Sequence, residues 1–226
     1  MVIKALIFDF DGLLMDTETT LLDSWRAEWS RHGLRLDEAT FFADHGGDTT
    51  DDQYALLAAA AGPGFDRAAS HARRTAYRNE RHRTLGLTAG LADWLREAEG
   101  LGLRLAVASS SRREWVAGHL ARTGDLARFE VLACGDEVAA HKPDPAVYRL
   151  ALDRLGLPPE AAIAFEDTPH GVSAAMAAGL RCVAIPNPYA HHARFGHAAE
   201  LLPSAADATL TTLLTRLSAS PPRVPG

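Results

Sequence analysis

From about residue 86 to residue 185, short apolar runs alternate with stretches of helical periodicity, and this alternation limits the fold more than any other feature. A helix near Leu91 to Glu99 stops at Gly100-Leu101-Gly102, and Leu103 to Ala108 then reads as a strand. The series continues with helix Glu114 to Arg122, strand Phe129 to Ala133 and helix Pro145 to Leu155, closed by Gly156. Strand Ala161 to Phe165, helix Gly171 to Ala178 and strand Arg181 to Ile185 follow, with a last helix expected around Leu210 to Leu217. Strands joined through helices pair in parallel, because the chain must cross back over the sheet between them. The pattern therefore predicts an α/β protein with a doubly wound parallel sheet.

The first strand stands apart from this series. Val2 to Phe8 is a buried-strand pattern, but the next 70 or so residues hold no second one. Asp16 and Thr17 are helix-start residues, and Leu21, Leu22, Trp25 and Trp29 fall at helical spacing up to a stop at His32-Gly33. Asp37 can cap a short helix towards Phe42. His45-Gly46-Gly47-Asp48 reads as a loop, and a helix starts at Thr49 or Thr50 and runs through Leu56 and Leu57. Gly62-Pro63-Gly64 breaks the chain before an Arg-rich helix from Asp66 to about Arg83. The expectation is a Rossmann-like core of residues 1–16 plus 87–226, with a helical domain, 17–86, inserted after the first strand.

Composition adds exclusions. The formal net charge of −6 over 226 residues offers no basic footprint for nucleic acid. The opening apolar run is too short for a signal peptide or a membrane span, so a cytoplasmic protein without membrane attachment is expected. Cys134 and Cys182 have no metal-like spacing and read as buried thiols. Ser218 to Gly226 reads as a loose tail. Nothing in the core demands a partner, and a monomer is expected.

In open α/β sheets ligands sit at the carboxyl ends of the strands, so those ends are where chemistry is to be sought. Strand one ends in Asp9 and Asp11, with Gly12 allowing a tight turn that brings the second carboxylate near the first. Two such carboxylates are costly to hold together without a cation or a proton between them. They suit a magnesium site in which one attacks and the other moves protons, or else a polar strand end with one Asp capping a helix. The strand Leu103 to Ala108 ends in Ser109-Ser110-Ser111, suited to phosphate oxygens or to simple helix capping. Lys142, between His141 and Pro143-Asp144-Pro145, either balances phosphate charge or is an exposed loop lysine. Strand Ala161 to Phe165 ends in Glu166-Asp167-Thr168, a hard-cation site in outline or a helix N-cap.

The set DFDGLLMDTE, VASSS, HKPDP and FEDTPHG resembles the four motifs of the haloacid dehalogenase superfamily, in order from Asp9 to Gly171. The helical insert is similar to the small α-helical cap domain of the subfamily that includes phosphoglycolate phosphatase and β-phosphoglucomutase. The resemblance implies that Asp9 is a nucleophile forming an aspartyl-phosphate, and that Asp11 protonates the leaving oxygen and later deprotonates water. It implies that Ser109 bonds the phosphoryl group with help from the Ser110 amide, and that Lys142 steadies Asp9 and the phosphoryl oxygens. Mg2+ would be held by Asp9, the Asp11 main-chain carbonyl and Asp167, with Glu166 as ligand or close support. An ionised Asp9 would need no base to activate it, whereas Asp11 must carry a proton for the first step.

The implied activity is magnesium-dependent hydrolysis of a small phosphorylated metabolite, a sugar phosphate or similar phosphomonoester. β-Phosphoglucomutase uses a His in the first cap helix and an Arg in the cap loop. This chain reads ETTLLDSWRAEW and HGGDTTDD there, which favours hydrolysis over the mutase. Dehalogenases lack the second Asp and need no magnesium, so Asp11 and Glu166-Asp167 favour phosphate chemistry. Glu18, His45, Asp48 and the pair Arg73-Arg74 are candidates for substrate selection. Closure about hinges near Asp16-Thr17 and Gly86 to Ala89 is expected. A phospho-accepting signalling domain and a catalytically retired scaffold are the non-enzymatic alternatives.

Overall fold

A computed structural model describes residues 2–41, 50–187, 189 and 192–219. Its sheet forms because five short, almost wholly apolar segments can bury both faces only by lying side by side under helices. β1 (Ala5–Phe8), β2 (Arg104–Ala108), β3 (Val131–Ala133), β4 (Ala162–Glu166), β5 (Arg181–Ala184) and β6 (Glu200–Leu201) are all parallel, in the order β3-β2-β1-β4-β5-β6. The chain builds outward from β1 to β3, then returns to the other side of β1 to lay down β4. The strand order thus reverses between β1 and β4, which places a crevice at their carboxyl ends.

Three strands depart from the sequence reading. β1, expected from Val2, pairs only from Ala5. The segment expected to start at Phe129 pairs only from Val131, because residues Leu126–Arg128 form a 3-10 turn. Arg128 of that turn is tied to Glu99 (2.6 Å) and Asp125 (3.2 Å). β6 has two residues and no apolar run, so no periodicity announces it.

The chain divides into two compact units, Met1–Met15 with Gly86–Gly226, and Asp16–Leu85. In the first, α7 (Ala146–Leu155) packs on β2 and β3, and α8 (Pro169–Ala177) packs on β4 and β5. α5 (Leu91–Gly100) lies against β2 and against α9 (Leu210–Ala219). α6 (Arg113–Thr123) follows β2. Cys134 and Cys182 are buried free thiols, as expected. No helix among the described residues is long and apolar enough to cross a membrane.

The second unit holds α1 (Thr17–Arg31), α2 (Glu38–Phe41), α3 (Thr50–Ala61) and α4 (Arg67–His82). Asp16 caps α1 by accepting from the Thr19 N–H (3.0 Å), and Asp66 caps α4 by accepting from the Ala69 N–H (3.0 Å). α1 packs along α4. Trp25 is the centre of this unit, with the rings of Tyr54 at 4.8 Å and Phe41 at 6.3 Å. Burying one such ring stabilises by about 1.5–3 kcal/mol.

Candidate active site

β1 ends at Phe8, and the register sets Phe8 level with Phe165 of β4. The Asp9 N–H donates to the Phe165 carbonyl (3.0 Å), which brings Asp9 beside Glu166. Beneath them the Phe8 and Phe165 rings stack at 4.8 Å, with Trp94 at 5.3 Å from Phe165. The carboxylates therefore stand on an apolar floor. Asp9 is 7 % exposed, Glu166 0 % and Asp167 1 %.

Lys142 arrives from the loop before α7 with its side chain only 7 % exposed. Its Nζ donates to Asp9 Oδ1, to Glu166 Oε1 (2.6 Å) and to the Ala108 carbonyl at the end of β2 (2.8 Å). These bonds match the three N–H groups of an ammonium. The exposed-lysine alternative does not hold. Two residues given no role at the site by the sequence reading complete the arrangement around Glu166. The Tyr148 hydroxyl of α7 donates to Glu166 Oε1 (2.6 Å). Gly171, in the first turn of α8, leaves the space that the carboxylate fills, since a Cβ there would lie 1.9 Å from Glu166 Oε2. A glycine inside a helix disfavours the helix, so its presence was a signal of close approach.

Burial pushes the Asp9 carboxyl up; Lys142 opposes this, while Glu166 and Asp11 add to the rise, leaving it above the usual carboxylate range. Burial alone would discharge Lys142, but Asp9 and Glu166 outweigh it and hold the ammonium charged. The fold buries Asp9, so its charge depends on neighbouring cations. The site's donors fit such a cation. Oxygens of Asp9, Glu166 and Asp167 all lie within 4.8 Å of one another, and hard carboxylate oxygens in such a cluster suit Mg2+.

The capping alternatives separate cleanly. Thr168, not Asp167, caps α8 by accepting from the Gly171 N–H (3.1 Å). Asp167 belongs to the carboxylate cluster, and its Oδ2 accepts from Asn187 Nδ2 (3.2 Å). None of the three serines caps α6, whose N-cap position is Arg112. Ser109 is buried, and its Oγ accepts from the Ser111 N–H (3.0 Å). Ser110 is exposed, and its carbonyl sits where a Cβ on Gly135 would lie, 2.0 Å away. Gly12 has φ 85°, the turn expected after Asp11. The Asp11 carboxylate does not join the Asp9 cluster; it accepts from Ser111 Oγ (2.6 Å) and Trp115 Nε1 (3.0 Å).

The two arginines proposed for substrate selection are engaged within the helical unit. Arg73 makes a two-point contact with buried Glu28, one bond being 3.1 Å. Arg74 is buried, its guanidinium 3.2 Å from the centre of the Trp25 ring, and it donates to the Tyr54 hydroxyl (2.8 Å). Glu18 lies in the first turn of α1. His45 and Asp48 lie outside the described residues.

Fold and site together define an α/β enzyme organised around a buried aspartate at the end of its central strand. The chain belongs to the haloacid dehalogenase-like hydrolases: the family model matches residues 6–185. YhcW of Bacillus subtilis (strain 168) is 35% identical over 220 residues, covering 96% of this chain and 98% of that protein. The fructose-1-phosphate phosphatase YqaB of Escherichia coli (strain K12) is 30% identical over 183 residues, 79% of this chain and 94% of its own. Among solved structures, a CbbY mutant from Rhodobacter sphaeroides in complex with xylulose-(1,5)bisphosphate superposes with a TM-score of 0.67 at 31% identity. That match covers 94% of this chain and 99% of the other.

Proposed function

We propose that this hydrolase is a magnesium-dependent phosphatase that cleaves a small phosphomonoester of the sugar-phosphate class through an aspartyl-phosphate on Asp9. The observation that carries the reading is the Lys142 ammonium fixed between Asp9 and Glu166, inside a buried three-carboxylate cluster at the carboxyl edge of the sheet. A buried anion cluster with one built-in ammonium is suited to receive a dianionic phosphate only together with further positive charge. Asp9, Asp167 and Glu166 would hold Mg2+, with the Asp11 carbonyl as a further donor. Bound there, it supplies the charge neutralisation that phosphoryl transfer requires. A relative named fructose-1-phosphate phosphatase, and another solved in complex with xylulose-(1,5)bisphosphate, support the substrate class.

Each residue then has a task. An Asp9 carboxylate oxygen attacks phosphorus, the ester P–O bond breaks, and Asp11 gives its proton to the departing oxygen. Water next loses a proton to Asp11 and attacks the same phosphorus. The bond to Asp9 breaks and phosphate leaves. Lys142 favours the ionised form of Asp9, together with the cation, and orients it. The Ser109 hydroxyl and the Ser110 amide hydrogen-bond the phosphoryl oxygens.

The test is phosphate release from a panel of small phosphomonoesters with magnesium, with chelator, and in Asp9→Asn. Release from a narrow set of sugar phosphates, lost with chelator and in the variant, is expected. Conversion of β-glucose 1-phosphate to glucose 6-phosphate with no phosphate release would instead make the chain a mutase. Stable phosphorylation without turnover would make it a signalling domain.

A further inference from the structure

We propose that Trp115, together with Ser111, is a positioning residue for Asp11. The inference rests on the phosphatase reading above and adds the groups that aim its proton carrier. The Asp11 backbone is held by its own turn, in which the Gly12 N–H donates to the Met15 carbonyl (2.8 Å) and the Met15 N–H to the Phe10 carbonyl (3.1 Å). That turn fixes the backbone and makes no bond to the carboxylate. Two donors from a different part of the chain hold the carboxylate. Ser111 Oγ takes Oδ2 at 2.6 Å, and Trp115 Nε1, in the first turn of α6, takes Oδ1 at 3.0 Å. One donor on each oxygen fixes the plane of the group.

Trp115 is itself supported. His119, one turn further along α6, has its Nδ1 3.0 Å from the Trp115 carbonyl and its ring centre 4.1 Å from that of the indole. Phe10, the residue between the two aspartates, lies edge-on to His119 at 6.0 Å. The indole N–H only donates, so it orients the carboxylate without competing for the proton in transit.

The test uses Trp115→Phe, which keeps the ring and removes the N–H, with p-nitrophenyl phosphate as probe. Its leaving group departs without needing a proton, so Asp11 matters only when water attacks the phosphoenzyme. kcat is expected to fall about tenfold or more, a part of the usual contribution of a positioned acid–base group, while kcat/KM and the initial burst of p-nitrophenolate stay within about twofold. In an Asp11→Asn background Trp115→Phe is expected to have no further effect, because both changes act through one group. Ser111→Ala, a smaller change, should reproduce the pattern if Trp115→Phe fails to fold. Equal falls in kcat and kcat/KM, an effect that persists without Asp11, a raised kcat, or unchanged kinetics would each overturn the proposal. Wild-type protein no more active than Asp9→Asn would remove the phosphatase reading and this proposal with it, an outcome distinct from all the others.

Discussion

Gly171 has no space for a side chain, because the Glu166 carboxylate occupies it. Gly171→Ala should therefore destabilise the protein by about 1–3 kcal/mol, as overpacking does. Urea denaturation would read this as a lower midpoint at an unchanged slope, and an unchanged midpoint would contradict the role given to the glycine. Lys142 poses the opposite case: its removal leaves Asp9 and Glu166 buried without their ammonium. Lys142→Met should lower stability in chelator by about 3–5 kcal/mol, the scale for breaking a buried ion pair, and should reduce turnover about a hundredfold or more. Retained turnover would mean that Asp9 needs no such partner. At this scale the sequence disclosed the groups with a simple signature. Asp9, Asp11, Lys142, Glu166 and Asp167 each stand at a strand end or a Pro-rich corner. Tyr148 and Trp115 did not stand out, because each sits in an amphipathic helix where an aromatic residue reads as core. Only the fold shows which oxygen its polar atom meets.

Helix α4 illustrates what periodicity can and cannot carry. Its run of arginines marks a polar helix, and the sequence suggests surface or substrate contact for Arg73 and Arg74. The register of α4 against α1 buries Arg74 and ties the partly exposed Arg73 to a buried carboxylate instead. It sets Arg73 against Glu28 and lays Arg74 on Trp25, contacts between residues tens of positions apart that no local pattern encodes. Burial of Glu28 works to raise its carboxyl, but the hydrogen bonds and charge of Arg73 outweigh it and hold it below the ordinary value of 4.5. A value lower in the folded than in the unfolded chain means that the pair's contribution is fully present above pH 4.5. It is lost as pH falls through the folded value. The difference in thermal midpoint between wild type and Glu28→Gln should thus shrink as the pH falls below about 4.5. A difference that grew below pH 4 would reverse the assigned sign.

For the molecule as a whole, alternation of strand and helix was sufficient to predict the doubly wound sheet, because parallel pairing follows from the crossovers. It could not supply β6, which has no apolar run, or the late start of β3, which follows a turn held by contacts such as Arg128 with Glu99. The carboxylate cluster also has a consequence for the whole molecule. A cation that binds the folded chain alone must stabilise it, by about 2.7 kcal/mol at a hundredfold excess over Kd. Magnesium should therefore raise the thermal midpoint of wild type and not that of Asp167→Asn, and an equal rise in both would place the binding elsewhere.

The central claim, that Asp9 accepts the phosphoryl group, is tested most directly by acid-quenching Asp11→Asn after reaction with p-nitrophenyl phosphate and magnesium, then mapping the peptides by mass. A single phosphoryl group on the peptide that contains Asp9, absent in the Asp9→Asn double variant, is the predicted result. A phosphoryl group on any other residue, or turnover by wild type with no phosphoryl group captured at Asp9, would contradict it.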